Sequence, residues 1–405
     1  MKPIHFIFLL FQLFAWQIAA EFSKSEATSE LFDISIGEFT RGKPMSKTNM
    51  VNLLQTFEPN GYMVYAGMDI SSSAKESSSN LESLINQGLF LTYSGQYKEA
   101  EKTYKRIINL YPKNPAGYYY LAALYQTIMR NYRVRDFEPQ FEKFIDLAIK
   151  RGKEAMANDR NNAVAYMYFG NARGHRGVHK INQQKFFRGF IDGLKGASCL
   201  SKSIELDPTL YDAYYGAGIY HYWRSAKSKA FWFLPFIGDN RQRGIEEIRL
   251  SIQKGKHSEI EGKYALVSIY YNEKNYEQAY QLNQQLYQLF PCNPAAMYMK
   301  GLIEERQGKW QEAQQTFQQL LSHLLASKYK SLGYQAECHY RIAFSLSKQG
   351  QFQKAIKECE IALKLWAQRD ASKELDDALS NTEDLLKAAR ELHERLLTRR
   401  SSSKP

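Results

Sequence analysis

Residues 81–114 read LESLINQGLFLTYSGQYKEAEKTYKRIINLYPKN, and this stretch decides the fold. Small and large apolar residues recur at helical spacing on both sides of a central turn: Leu84, Gly88, Leu91, Ala100, Tyr104 and Ile107. Gly95 marks the turn, and Pro112 follows the second helical stretch. The pattern predicts two antiparallel helices that cross at the small residues. Because one such hairpin cannot bury its apolar face alone, several copies must stack.

Other parts of the chain repeat this pattern. Residues 260–293, 294–327 and 336–369 each place a small residue at the helix crossing, for example Ala279, Ala313 and Ala355. The residue positions and the 34-residue length resemble the tetratricopeptide repeat. This resemblance implies an all-α fold, a right-handed α-solenoid, of a kind that usually binds other molecules rather than transforming them.

The middle of the array has a longer period. Three successive repeats, which begin near Pro115, Ala163 and Tyr211, are each 48 residues long. They hold 14 more residues than the outer repeats, or about two extra turns on each helix. We expect three extended hairpins, while Pro235 and Gly238 indicate that the third insertion is not wholly helical. The predicted array has about seven repeats, at residues 81–114, 115–162, 163–210, 211–258, 260–293, 294–327 and 336–369.

The two ends of the chain lack the repeat. Residues 1–20 resemble a signal peptide, with Lys2 before an apolar stretch and Ile18-Ala19-Ala20 before Glu21. We therefore expect export, to the periplasm or envelope or to a secreted or lumenal location; cleavage and retention as an anchor both stay open. Residues 21–80 form an N-terminal segment that ends in the polar linker SSSAKESSSN. Residues 370–399 are predicted to form a capping helix, and residues 400–405 a disordered tail.

Several classes of site find no support in the sequence. The formal net charge is +12, but Lys and Arg are scattered among acidic residues, so we expect no nucleic-acid binding. His175 and His179 have the spacing of a helical metal pair, yet Gly174 and Gly177 weaken a helix there and no third ligand lies nearby. We expect no metal, no cofactor and no catalytic residue. The four cysteines should be free and largely buried: Cys199, Cys292, Cys338 and Cys359.

A tyrosine-rich stripe is the main candidate site. Equivalent positions of successive first helices, which face the concave groove in this type of repeat, carry mostly tyrosine. Tyrosine offers a large apolar face with a hydroxyl group, which favours interfaces. Two interpretations stay open: the rings form a partner-binding groove, or they only pack between neighbouring first helices. The candidate groove residues are Tyr119, Asn171, Tyr215, Tyr222, Tyr264, Tyr271, Tyr298 and Tyr340.

A second candidate is the aromatic patch in the third insertion. The patch consists of Phe231, Trp232, Phe233, Leu234 and Phe236, and basic residues flank it. If exposed, it suits a membrane surface or a partner; if buried, it covers the ends of the long hairpins.

The block YDAYYGAGIYHYWRS, residues 211–225, followed by LPFIGDNRQRGIEEIRLSIQKG, residues 234–255, carries a more specific resemblance. It resembles uncharacterised exported bacterial tetratricopeptide proteins. It is also distantly similar to the eukaryotic tetratricopeptide family tied to mitochondria and inclusion-body clearance, which implies only the extended-repeat architecture. The sequence thus predicts a non-catalytic exported scaffold that binds protein or peptide in its groove. The alternative is a peripheral membrane or lipid-associated protein that uses residues 231–236.

Overall fold

The computed structural model describes residues 81–226, 238–376 and 382–402, and these ranges contain fifteen α-helices and no strand. Fourteen helices pair into seven antiparallel hairpins, and one more follows. The hairpins are α1 Leu81–Tyr93 with α2 Tyr97–Leu110, α3 Pro115–Tyr132 with α4 Glu138–Asn158, α5 Ala163–Asn182 with α6 Phe186–Leu206, α7 Asp212–Ala226 with α8 Arg241–Lys254, α9 Glu259–Asn272 with α10 Tyr276–Leu289, α11 Pro294–Arg306 with α12 Trp310–Ala326, and α13 Leu332–Lys348 with α14 Phe352–Ala367; the last helix is α15 Thr382–Ser402. The predicted signal peptide and residues 21–80 lie outside the described residues. Across the described ranges, no helix has the length and apolar character needed to cross a membrane.

The first hairpin shows why the repeat needs its small residues. A Cβ atom on Gly88 of α1 would lie 2.3 Å from Cε1 of Tyr104 on α2, so the tyrosine ring fills the space that glycine leaves. The turn after α1 passes through Gly95 with φ +76°, a conformation that glycine adopts without strain. Gly308 and Gly350 repeat this turn with φ +74° and +76°. The hairpins therefore share local geometry as well as spacing.

The predicted lengthening is present in two of the three middle hairpins. The helices α3, α4, α5 and α6 have 18 to 21 residues, against 13 and 14 in α1 and α2. The third middle hairpin corrects the prediction, because α8 has only 14 residues and begins at Arg241. Asp239 accepts a hydrogen bond from the Arg241 backbone N–H at 3.0 Å and another from the Arg241 guanidinium. These two bonds stabilise the start of α8 at Arg241. Residues 227–237 of the insertion lie outside the described residues.

The C-terminal end also differs from the prediction. Residues 371–376 form a turn and an isolated bridge instead of helix, and α15 runs from Thr382 to Ser402. The tail prediction is thus wrong for residues 400–402, and residues 403–405 are not described. Glu374 explains why α15 does not begin at residue 370. Its carboxylate accepts hydrogen bonds from the Ser331 hydroxyl and from two backbone N–H groups at the start of α13. This anion at a helix N-terminus fixes the segment before α15.

The array folds back so that its first hairpins contact its later ones. The ring of Tyr93 on α1 stacks on that of Tyr264 on α9 at 5.5 Å, and Asn293 donates a hydrogen bond to the Tyr93 carbonyl. The helix α3 lies at the centre: 16 of its 18 residues are buried. A helix that is apolar on every side requires neighbours on every side, and α3 packs against α1, α4, α5 and α11.

A buried charge cluster joins α3 to the last repeats. Arg133, at the end of α3 with φ 54°, forms an ion pair with Glu337 of α13, and its guanidinium lies 3.8 Å from the Tyr334 ring centroid. Arg341 bridges Glu337 and Glu305. Burial would raise the pKa of Glu337, but the charges of Arg133 and Arg341 outweigh it and hold this pKa below its usual value. Glu337 therefore stays ionised, and its ion pair with Arg133 positions α3 against α13.

Candidate functional site

Five of the eight predicted groove residues are buried, so the expectation that they line an open groove is wrong. They are Tyr119, Asn171, Tyr222, Tyr298 and Tyr340. They are buried because their side chains pack against neighbouring helices, for example Tyr119 against α5, Tyr222 against α9 and Tyr298 against α13. The Tyr119 hydroxyl of α3 contacts His175 Nε2 of α5 at 3.1 Å. Burial raises the pKa of Tyr119, and the nearby Glu261 of α9 and Tyr215 of α7 raise it further.

The buried residues make specific contacts with the interior. The Tyr298 hydroxyl donates a hydrogen bond to Glu337 at 2.7 Å, and the Tyr222 hydroxyl donates one to Glu273 at 2.7 Å. Asn171 lies so close to Gly216 that a Cβ atom there would be 2.2 Å from Asn171 Oδ1. At these positions the side chains hold helices together, as the packing interpretation expects.

The other three predicted residues stay partly exposed. Tyr215 lies on α7, and Tyr264 and Tyr271 lie on the neighbouring first helix α9. The Tyr264 hydroxyl is buried and has no hydrogen-bond partner among the described residues. We call these three residues the tyrosine triad. They are the part of the predicted stripe that a partner can reach in this structure.

Two charged residues that the repeat pattern does not indicate lie beside the tyrosine triad. Arg306 of α11 donates a hydrogen bond to the Tyr271 hydroxyl at 3.0 Å. Arg130 is the exposed residue of α3, and its charge acts on both Tyr215 and His175. The helical period could have revealed Arg130, since it is the one cation in an otherwise apolar and tyrosine-rich helix. Two arginines thus border the triad.

A carboxyl group lies beneath the same residues. Glu261 lies in the first turn of α9 and is half-buried. Burial raises its pKa to about 7; a hydrogen bond with Tyr93 opposes this shift, and the charge of Asp212 adds to it. Near neutral pH, Glu261 can therefore be protonated or ionised.

The two histidines considered as a metal pair take other roles. Both lie on α5, which is continuous through Gly174 and Gly177, contrary to the expected weak helix. His175 Nδ1 contacts Gln126 Oε1 at 2.6 Å, and burial followed by the charge of Arg130 lowers its pKa to about 4. The His179 ring packs on Phe141 with centroids 4.5 Å apart. Neither is a surface or loop histidine; within the described ranges, no group of three or more His, Cys, Asp or Glu residues could hold a metal ion.

The remaining predicted positions have mixed outcomes. All four cysteines are free; Cys338 and Cys359 are buried, Cys199 is partly buried, and Cys292 is exposed, contrary to expectation. The aromatic patch Phe231, Trp232, Phe233, Leu234 and Phe236 lies outside the described residues.

Comparisons with known proteins support the repeat. Two models of the tetratricopeptide repeat match residues 81–114 and 295–323. No curated protein matches the chain. Similar solved structures include YrrB, described as a tetratricopeptide protein with an unusual peptide-binding site, at 16% identity over 53% of this chain and 91% of that one, with TM-score 0.37. Others are the Cut9–Hcn1 hetero-tetramer, at 16% identity over 78% and 49% with TM-score 0.46, and a tetratricopeptide protein of Cytophaga hutchinsonii, at 17% over 69% and 95% with TM-score 0.38.

The distant similarity to the eukaryotic family receives no support from these matches and stays a prediction. The repeat itself is supported twice. Segments in the first and sixth hairpins match the repeat models, and hairpins one, six and seven share the glycine turn at positive φ. The chain is therefore a tetratricopeptide repeat protein, and its repeats form an all-α solenoid.

Proposed function

We propose that this protein is an exported, non-catalytic scaffold that binds a protein or peptide partner at the tyrosine triad. Arrays of this repeat present extended surfaces for partners. The observation that carries the proposal is that Tyr215, Tyr264 and Tyr271 stay partly exposed, while the other five predicted groove residues are buried. Tyrosine and arginine supply a large share of binding energy at protein interfaces, and here Arg130 and Arg306 border the rings.

The partner surface proposed here is smaller than the stripe of eight residues. Tyr298 and Tyr340 are part of the interior, so their replacement would disturb folding before it disturbed binding. Tyr264 is partly exposed, but its hydroxyl is buried, so this hydroxyl is not a contact offered to the partner.

Site-specific photo-cross-linking tests the proposal. A photoreactive phenylalanine derivative is placed at Tyr271 in one sample and at Tyr280 in another; Tyr280 is also half-buried but lies on the second helix α10. We expect a defined adduct in the native envelope from position 271 and none from position 280. Tyr271→Ala should then weaken binding of the identified partner roughly 30-fold, as loss of a central aromatic residue does. Equal adducts at both positions, or unchanged affinity in the variant, would rule out the triad.

Export and the membrane alternative rest on sequence alone. Residues 1–20 and 231–236 both lie outside the described residues. Fusion of residues 1–20 to a reporter enzyme that is active only outside the cytoplasm tests export directly. An inactive but intact fusion would contradict it.

A further inference from the structure

The tip of the third hairpin exposes an unusual set of apolar side chains. Here α5 ends at Asn182 and α6 begins at Phe186, with Gln184 at φ 62° in the tight turn between them. Phe186 is 62% exposed, Val178 46%, Ile181 43% and Phe190 37%. Val178 and Ile181 are three residues apart and Phe186 and Phe190 four, so each pair shares one side of its helix. We call these four residues the hairpin tip.

Close contact between the two backbones keeps these side chains outward. A Cβ atom on Gly177 would lie 2.8 Å from the Gly189 carbonyl oxygen, and one on Gly189 would lie 2.7 Å from the Gly177 carbonyl oxygen. The helices therefore meet through backbone atoms at this crossing, without space for large side chains between them. The bulky residues around it project to the sides and the end of the hairpin.

The segment that carries the hairpin tip is strongly basic. Residues 173–195 contain six Lys or Arg residues and a single carboxylate, Asp192. Asp192 is buried and bonded to Arg173, Arg176 and Lys180. Burial would raise its pKa, but the hydrogen bonds from these cations hold it well below the usual range. Lys185 and Arg188, which flank Phe186, are both exposed.

The acidic groups near the tip lie on one flank. Two exposed carboxylates belong to the neighbouring helix α4: Asp146 accepts a hydrogen bond from Arg176, and Glu142 accepts one from Gln183. These contacts hold both acids against the side of the hairpin that faces α4. The turn itself presents aromatic and aliphatic side chains between cations.

We propose that the hairpin tip docks on an anionic lipid bilayer. Apolar side chains that enter the interface and cations that remain at the headgroups are the two contributions that interfacial binding requires. Each Lys or Arg near an anionic surface adds attraction. A bilayer suits a convex turn better than a protein partner does, because it needs no complementary cavity. The tip and the tyrosine triad are different residues, so either proposal can fail without the other.

An environment-sensitive fluorescent amino acid in place of Phe186 tests this in the full chain. We expect a blue-shifted emission, and quenching by lipids that carry a quencher in the acyl chain, with vesicles of phosphatidylcholine and phosphatidylglycerol. The effect should be weak with phosphatidylcholine alone and should fall with added salt. The same probe at Ile361, an exposed apolar position on α14, should show no shift. Because the readout is local, membrane binding by another part of the chain does not imitate it.

A charge variant supplies the second measurement. The double variant Lys185→Glu with Arg188→Glu should lower partition into anionic vesicles at least tenfold. Lys153→Glu with Arg160→Glu is the matched control, since it changes the net charge equally at two exposed positions, one near the C-terminal end of α4 and one in the turn after it. Absence of a shift at position 186 with anionic vesicles would overturn the proposal. So would a shift that requires envelope proteins and occurs without lipid, which would make the tip a protein interface.

Discussion

Glu261 shows how a single side chain takes on a property that its sequence neighbours do not indicate. In the sequence it is one of two acids in the first turn of a helix, together with Glu259. In the fold it lies close to tyrosines of α1, α3 and α7, and burial raises its pKa to about 7. The groups that face it are Tyr93, whose hydrogen bond opposes the shift, and Asp212, whose charge adds to it. Deprotonation of Glu261 is therefore unfavourable in the folded state.

Glu261 should make folding stability depend on pH in a definite direction. Because its pKa is higher in the folded than in the unfolded chain, its contribution is fully present below its ordinary value and is lost as the pH rises to about 7. Glu261→Gln should raise the free energy of unfolding at pH 8, by an amount on the order of 2 kcal/mol, and leave it unchanged at pH 4. Urea denaturation at both pH values measures this. Glu259→Gln, a more exposed carboxyl of the same turn, is the control, and an equal effect of the two variants would contradict the interpretation.

Among the helices, the glycines of the middle hairpins determine how closely each pair can pack. In α5 and α6 the contact involves Gly170 with Gly196 and Gly177 with Gly189, and a Cβ atom on any of them would lie within 2.9 Å of a backbone oxygen across the crossing. Gly218 and Gly244 repeat the arrangement between α7 and α8, where the separation would be 2.6 Å. Of these glycines, only Gly177 was expected from the sequence to weaken its helix. The structure shows that they allow long helices to pair through their backbones.

Two glycines of α5, three residues apart, should respond to alanine in opposite ways. Gly177→Ala places a methyl group against the Gly189 carbonyl and should lower the free energy of unfolding by about 1–3 kcal/mol. Gly174→Ala meets nothing within 4 Å and should raise it by about 0.5–1 kcal/mol, since alanine favours the helix. Chemical denaturation of the two variants gives both values. Destabilisation by both would show that the close crossing is not the cause.

At the scale of the whole molecule, some features follow from the sequence within one repeat and others from contacts between distant repeats. Hairpin boundaries and the two long hairpins could be predicted because helical periodicity and turn glycines lie within each repeat. The burial of Tyr298 against α13 depends on long-range contacts, such as the ion pair of Arg133 with Glu337, 204 residues apart. No repeat pattern contains such a pair. One feature of the sequence did point to these contacts: α3 is apolar on every side. Such a helix is expected to be buried rather than to line an open groove.

The same long-range contacts change what should happen when one repeat is weakened. A linear array transmits a perturbation only to neighbouring repeats, because each repeat contacts only its neighbours. Here α1 contacts α9, and the end of α3 contacts α13. The first and last hairpins should therefore lose structure together.

Leu346→Ala tests this coupling across the array. Leu346 is buried in α13, and its truncation should lower the free energy of unfolding by about 2–5 kcal/mol. Hydrogen–deuterium exchange should then accelerate in α1 and α3 as much as in α13, because all three open in one cooperative transition. Ile361→Ala, at an exposed position of α14, should leave exchange unchanged throughout. Faster exchange confined to α11–α15 would show that the hairpins open independently, and that α3 lies against the later repeats without being held by them.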